Sequence, residues 1–475
     1  MSLFPLLIVI CASLLIGLLA RGPGRSWSLL VTSILAIYWL QPSIPIRHLD
    51  FWLPTACLAL TTLLWILTRT KDTSDLRTNL KTGLVITSVI LLIGITRYLD
   101  PVCCLTPTRP PAFYQITLAV MVITIIVILT NSIATRRVGW IYACIGLIIG
   151  LFVILKFEPL TKLVSMGLRS MNAQSVELAS AIDFRWLGFS YVAFRLMHTL
   201  RDRVSGRLPE LTLMEYVIYV IFFPAYSAGP IDRVQRFVQD LRRPFQLSMD
   251  TALIGGKRIL LGIFSKYVLA DGLALFTLNS INSSQVNSLG WLWVMVYAFA
   301  FRIFFDFSGY TDIAIGMGHL LGIQLPENFE RPYLKQNLTL FWNSWHMTLA
   351  QWFRAYFFNP LTRELRANPR NIPTPLIIFI GQLSTFILIG LWHGISWNYA
   401  IWGAWHGLGL FIHNRWSDLI RSKVSCLESR PRLKQLVRLG GTLLTFHYVS
   451  LGWVWFALST PAQSWNTFLK LFGLV

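Results

Sequence analysis

Long apolar segments recur along the chain of 475 residues, and their length limits the fold more than any other feature. An α-helix of roughly 17–25 mostly apolar residues crosses the hydrocarbon core of a bilayer. The N-terminal third contains six such segments, predicted at about 3–20, 27–41, 51–68, 83–99, 113–130 and 139–156. Only 13% of the residues are charged, against about 25% in soluble domains. The sequence therefore predicts an all-α, polytopic membrane protein.

The formal net charge of +20 is carried largely by short loops between the apolar segments. Arg136 and Arg137, for example, follow the fifth segment. Basic residues collect in this way in cytoplasmic loops, so loops 69–82, 131–138 and 414–438 are predicted to be cytoplasmic. The charge is explained without nucleic acid, which we do not expect as a partner. The Cys and His residues show no spacing typical of a metal site, and none is predicted.

The pattern becomes irregular after residue 156. Further crossings are predicted at about 290–320, 374–393, 397–413 and 438–458. Segments 213–228 and 335–358 have basic residues at both ends, so each is expected to enter the membrane and return. Polar backbone at membrane depth requires surrounding protein or a water-filled cavity. We therefore expect residues 1–156 to form a scaffold and residues 157–475 a catalytic core, with about 10–12 transmembrane helices plus re-entrant or interfacial ones.

The sequence LWHG at 391–394 places a histidine after nearly twenty residues without a formal charge. Ionisable side chains inside a membrane are costly and usually functional. A neutral imidazole can accept a proton from a hydroxyl near pH 7, so His393 is a candidate general base. The alternative is a structural histidine that bonds to a neighbouring carbonyl group.

A second group lies in FWNSWHMTLAQWFRAYFF at 341–358. If this segment is one helix, Asn343 and His346 share a face, while Trp345 and Trp352 share another. Such a stripe can line a cavity. An interfacial amphipathic helix is the alternative.

A third group is FDFSGYTD at 305–312, where Asp306 and Tyr310 are neighbours on a helix. Packing through buried hydrogen bonds is the alternative role. His406, His413 and His447 are interpreted as structural. The sequence has no GxSxG, HExxH or phosphate-loop motif, which leaves catalysis by a lone base.

Five motifs in this order resemble the membrane-bound O-acyltransferase family, in particular its bacterial branch of alginate O-acetyltransferases and teichoic-acid D-alanyl transferases. They are FRWLGFSYVAFRLMHTLRDR, FFPAYSAGPIDRVQRF, FDFSGYTDIAIGMGHLLGIQLPENFERPYL, FWNSWHMTLAQWFRAYFFNPL and LWHGISWNYAIWGAWHGLGL, between about Asp183 and Trp465. The resemblance implies a ring of helices around a central tunnel, with His393 as the essential base and His346 as a second functional residue. Substrate-binding roles are expected for Asn343, Trp345, Trp392, Asp306 and Tyr310.

The expected activity is transfer of an acetyl or other short acyl group to hydroxyls of an extracytoplasmic polysaccharide or glycolipid, at the cell membrane. The donor is expected to be a co-substrate, acetyl-CoA or an acyl carrier protein thioester, reaching the site from the cytoplasm, with no bound cofactor. Membrane lipid and a periplasmic or extracellular acetylation partner are the other expected partners. D-alanylation of a cell-wall polymer and a non-enzymatic transporter are the alternatives. The N-terminal residues and the stretch FRAYFFNPLTREL depart from the branch, so the donor can differ.

Overall fold

The computed structural model describes residues 3–69, 76–99, 103–133, 138–424 and 430–474. The chain is 76% helical and contains no strand in these ranges. The all-α prediction is confirmed. The basic loops predicted at 69–82, 131–138 and 414–438 fall partly outside the described residues. Where the structure describes them they are largely helical, at 76–82, 131–133, 414–424 and 431–438, so the predicted loops are too long.

Six of the described helices are long and apolar enough to cross a membrane. They cover Leu49–Thr68, Leu76–Tyr98, Phe113–Thr130, Val138–Lys156, Leu289–Leu321 and Thr374–His393. All six were predicted from the apolar pattern, and the chain is a multi-pass membrane protein. The first two predicted spans are also helices, although each is only 17 residues long.

The residues form two compact units, and the chain passes from one to the other three times, twice within a helix. The first unit comprises residues up to Ile259 together with Ile313–Pro326. Its helices are α1 Leu3–Leu19, α2 Pro23–Trp39, α3 Leu49–Thr68, α4 Leu76–Ile95, α5 Phe113–Ile133, α6 Val138–Lys156, α7 Glu158–Met171, α8 Phe189–Val204, α9 Leu213–Ile221, α10 Val234–Arg242 and most of α11 Met249–Ile263. The predicted scaffold of residues 1–156 remains a prediction.

The core of the first unit is built around the end of α9. This helix ends at Ile221, and Pro224 lies in a short 3₁₀ turn, as expected for a residue that cannot continue a helix. The buried guanidinium of Arg195 donates to the carbonyl oxygens of Val220 at 2.9 Å and Ala225 at 2.7 Å. These bonds satisfy carbonyl groups that the helix leaves without partners at its end.

The second unit comprises Leu260–Asp312 and the residues from Glu327 onward. Its helices are α12 Asp271–Ala274, α13 Asn282–Gln285, most of α14 Leu289–Leu321, α15 Leu338–Trp342, α16 Met347–Phe353, α17 Asn359–Arg366, α18 Thr374–His393, α19 Trp397–Val424, α20 Pro431–Ala457 and α21 Pro461–Leu471. Helix α18 has the predicted bounds, whereas α19 extends well beyond the predicted end at residue 413. All the predicted site residues lie in this unit.

Candidate functional site

His393 is the last residue of α18. Gly394 follows in an extended conformation, and the amide of Ser396 donates to the carbonyl oxygen of Gly394 at 3.0 Å. Helix α19 begins at Trp397. A tight turn therefore separates α18 from α19, and the His393 imidazole lies where this turn begins.

Aromatic rings surround His393 on several sides. The centroid of its ring lies 4.9 Å from that of Phe456, 5.6 Å from Trp402 and 6.1 Å from Tyr399. The neighbouring Trp392 is at 4.7 Å. His393 remains partly exposed, so its imidazole is held by packing while a face of it stays accessible.

Glycine residues set the close approach of α18 to α19. A Cβ atom on Gly390 would lie 2.0 Å from the carbonyl oxygen of Tyr399, and one on Gly403 would lie 2.3 Å from that of Phe386. Only residues without side chains allow the two backbones to come so near. This contact places Tyr399 and Trp402 against His393.

His346 occupies a break between two short helices. Its φ of 42° and ψ of 52° are left-handed, a conformation that costs a non-glycine residue roughly 1–2 kcal/mol. Asn328 holds the next turn in place, because its carbonyl oxygen accepts from the amide of Met347 at 3.0 Å and its Oδ1 accepts from the amide of Thr348 at 3.1 Å. The prediction of one continuous helix over 341–358 is therefore wrong.

The His346 side chain is buried, with 4% of its surface exposed. Its ring centroid lies 4.6 Å from that of Phe307 and 6.1 Å from that of Trp392. Within the described part of the chain, neither ring nitrogen has a hydrogen-bond partner. Since Trp392 also contacts His393, one indole joins the two histidines that the sequence singled out separately.

The break at His346 also changes the predicted roles of its neighbours. Asn343 is exposed, and its Oδ1 accepts from Arg354 at 2.8 Å. The shared face predicted for Asn343 and His346 is wrong, because it required the helix to continue. Trp345 is buried within an aromatic core, with ring centroids 5.2 Å from Trp453 and 5.6 Å from Phe341.

Asp306 and Tyr310 lie on α14. The Asp306 carboxylate is half-exposed and forms an ion pair with Lys266, which lies in a π-helical turn at Phe264–Ala270. Gly309 packs against this turn, since a Cβ there would lie 2.9 Å from the amide nitrogen of Lys266. The ion pair links α14 to the π-helical turn, but it is half-exposed at Asp306 and so differs from the buried hydrogen bonds of the alternative role. The substrate-binding role of Asp306 and Tyr310 remains a prediction.

The sequence interpretation overlooked how near His406 lies to the site. Its ring is completely buried and lies 5.0 Å from that of Trp342 and 5.1 Å from that of Trp402. Trp402 in turn contacts His393. The repeated WHG at 392–394 and 405–407 was the available signal. The turn at 394–396 places the two histidines on separate helices, so helical spacing does not relate them.

The arrangement provides a partly exposed base, a buried second imidazole and apolar rings around both. In the described ranges, no group of three or more His, Cys, Asp or Glu residues is placed to hold a metal ion. An accessible imidazole in apolar surroundings can accept a proton from a substrate hydroxyl and return it to a leaving group.

Comparison with known proteins agrees with this chemistry. The profile of the membrane-bound O-acyltransferase family matches residues 205–451, which include both histidines. The chain is 33% identical to a teichoic acid D-alanyltransferase of Streptococcus thermophilus, over 57% of this chain and 68% of that protein. It is 30% identical to a probable alginate O-acetylase of Azotobacter vinelandii, over 60% of this chain and 54% of that protein. It is also 30% identical to a peptidoglycan O-acetyltransferase of Helicobacter pylori, over 58% of this chain and 52% of that protein. The chain therefore belongs to the membrane-bound O-acyltransferase family and is a membrane-embedded acyltransferase.

Proposed function

We propose that the protein transfers a short acyl group from a cytoplasmic thioester to a hydroxyl group of an extracytoplasmic polysaccharide or glycolipid. The observation that carries the proposal is the partly exposed His393 imidazole at the end of α18, set among aromatic rings. The names of the relatives support the acceptor class, since alginate, peptidoglycan and teichoic acid are all polymers that bear hydroxyl groups.

In the proposed reaction a ring nitrogen of His393 takes the proton of the acceptor hydroxyl. The oxygen attacks the thioester carbonyl carbon, a C–O bond forms and the C–S bond breaks. The departing thiolate then takes the proton from the imidazolium, so the histidine is neutral again at the end of the cycle. General-base catalysis of this kind contributes about 10²–10⁴-fold.

The aromatic rings serve the reaction by limiting the access of water. Hydrolysis of the thioester competes with transfer, and a closed apolar site suppresses such side reactions. His346 is proposed to orient or polarise the donor carbonyl, because its buried ring carries nitrogens that have no hydrogen-bond partner among the described residues. Trp392 contacts both imidazoles.

The test compares His393→Ala with wild type in cells that lack the native gene. Mass spectrometry of surface glycans and lipids identifies the acylated product and measures its amount. We expect His393→Ala to lower the acylated fraction by at least about 10²-fold. The matched control is His447→Ala, an exposed histidine of α20 whose Nδ1 lies 2.8 Å from the carbonyl oxygen of Leu443. Wild-type acylation by His393→Ala would refute the assignment.

D-alanylation is the second candidate for the acyl group. The observation that favours it is coverage: this chain spans 68% of the teichoic acid D-alanyltransferases of Streptococcus thermophilus and Bacillus subtilis, against 54% and 52% of the acetylating relatives. The same mass spectra distinguish the two, because an alanyl ester carries a free amine and an acetyl ester does not. Adding labelled acetyl-CoA or an alanyl-charged carrier protein to membrane vesicles then identifies the donor.

A further inference from the structure

The second unit contains a cavity of about 840 Å³ between α19 and α20. Its volume falls within the range of roughly 300–1,000 Å³ that is usual for ligand pockets. Neither His393 nor His346 is among the residues that line it. The cavity is therefore separate from the candidate catalytic site and needs its own explanation.

Most of the wall is apolar and open to the outside. Ile412 and Trp416 on α19 and Leu444 on α20 line the cavity and are 64%, 60% and 74% exposed. In a membrane protein, exposed apolar side chains of this kind contact lipid acyl chains. In a membrane, an acyl chain is the natural occupant of a crevice between two helices.

The floor of the cavity is already formed. The rings of Trp405 and Tyr448 stack at 4.8 Å with an angle of 18°. Trp405 Nε1 donates to the carbonyl oxygen of Tyr448 at 3.2 Å, and the Tyr448 hydroxyl donates to the carbonyl oxygen of Trp405 at 2.5 Å. These reciprocal bonds tie α19 to α20, so the cavity does not depend on a ligand to open it.

Two basic residues stand at one end of the cavity. Lys434 and Arg438 both line it, and their spacing puts them on the same face of α20. This end belongs to the basic stretch that the charge pattern assigns to the cytoplasmic face.

We propose that the cavity binds an anionic phospholipid, with one acyl chain against the apolar wall and the phosphate between Lys434 and Arg438. Basic pockets between helices at the cytoplasmic face favour anionic headgroups. The apolar length of the cavity selects a lipid over a soluble phosphate ester. The proposal does not depend on the catalytic role of His393.

Native mass spectrometry of the purified full-length protein tests the charge requirement. Phosphatidylglycerol and phosphatidylcholine with identical acyl chains are titrated separately. We expect wild type to bind phosphatidylglycerol more tightly and the double variant Lys434→Gln/Arg438→Gln to lose about 30-fold in that affinity, at about 1 kcal/mol for each basic residue. The control Arg430→Gln/Arg432→Gln removes two charges just before α20 or in its first turn, outside the cavity lining, and should keep the wild-type preference.

A second variant tests the acyl chain. Ile412→Trp fills the apolar wall and should weaken binding of phosphatidylglycerol while both basic residues remain. Equal loss in the two double variants would show a nonspecific charge effect and overturn the proposal. The proposal also fails if wild type binds both lipids equally, or if inorganic phosphate displaces phosphatidylglycerol at equal concentration.

Discussion

Replacing Gly390 with alanine tests whether the contact between α18 and α19 sets the geometry around His393. The added Cβ would lie 2.0 Å from the carbonyl oxygen of Tyr399 and 3.0 Å from its carbonyl carbon. Lengthening 2.0 Å to an ordinary contact of 3.4 Å requires the two backbones to part by about 1.4 Å. The atoms in the way belong to the backbone rather than to a flexible side chain, so a change of rotamer cannot relieve the strain.

Overpacking of this kind usually costs about 1–3 kcal/mol, and we expect the upper end for Gly390→Ala. Activity should fall further than stability alone explains. Tyr399 and Trp402 move with α19, and both contact the His393 ring. A misplacement of about 1 Å near reacting groups can reduce the rate about 10²-fold.

Two measurements on the purified protein check the expectation: the melting temperature in detergent and the rate of acyl transfer. Gly440→Ala is the matched control, because a Cβ at this exposed position on α20 meets nothing within 4 Å. Alanine should stabilise that helix by about 0.5–1 kcal/mol without altering the transfer rate. If Gly390→Ala melts and reacts like wild type, the close contact does not determine the site.

Two further predictions concern residues outside the ring cluster. Asn328→Ala should cost about 2–4 kcal/mol in thermal unfolding, because Asn328 Oδ1 accepts from both the amide and the hydroxyl of Thr348. Thr348→Val removes the hydroxyl that donates to Oδ1 and keeps the amide, so it should cost less. A double mutant whose effects are strictly additive would exclude coupling between the two residues. Burial alone would raise the pKa of Asp183, but hydrogen bonds led by that from Arg169 at 2.8 Å hold it below its usual value. The ionised Asp183 carboxylate therefore stabilises the fold fully above the unfolded-state pKa of about 3.9, and this stabilisation is lost as the pH falls through the lower folded-state pKa. Between pH 6 and pH 3, the melting temperature should consequently fall less for Asp183→Asn than for wild type.

The fold was predictable where a local pattern determines the structure. Helix α18 has the predicted bounds, because an uncharged apolar segment and the turn at Gly394 specify both its length and its end. The break at His346 was not predictable from periodicity, which records only spacing along one helix. It depends on Asn328, which lies eighteen residues earlier and bonds to the turn that follows.

The candidate site was predicted in its residues but not in its assembly. His346 and His393 were singled out because ionisable groups within apolar sequence need an explanation. Trp392 connects the two histidines, and it lies 46 residues after His346 in the sequence. A contact between residues so far apart does not follow from local sequence patterns. His406 lies on α19, a helix separate from the one that ends at His393, so its place beside the same aromatic rings does not follow from helical spacing.

The two predicted histidines differ in exposure, and this difference bears on which of them acts as the base. A base must reach the acceptor hydroxyl, and His393 is partly exposed at the end of a helix, whereas His346 is enclosed beneath Phe307 and Trp392. The exposed part of His393 is where the proposed acceptor would meet the base, whereas the ring of His346 is covered by Phe307 and Trp392. Substitution of Trp392 should thus separate the two roles: a smaller ring such as Phe preserves packing against His393 while opening the path to His346. This distinction supports His393 as the proposed base and His346 as the proposed donor-orienting group.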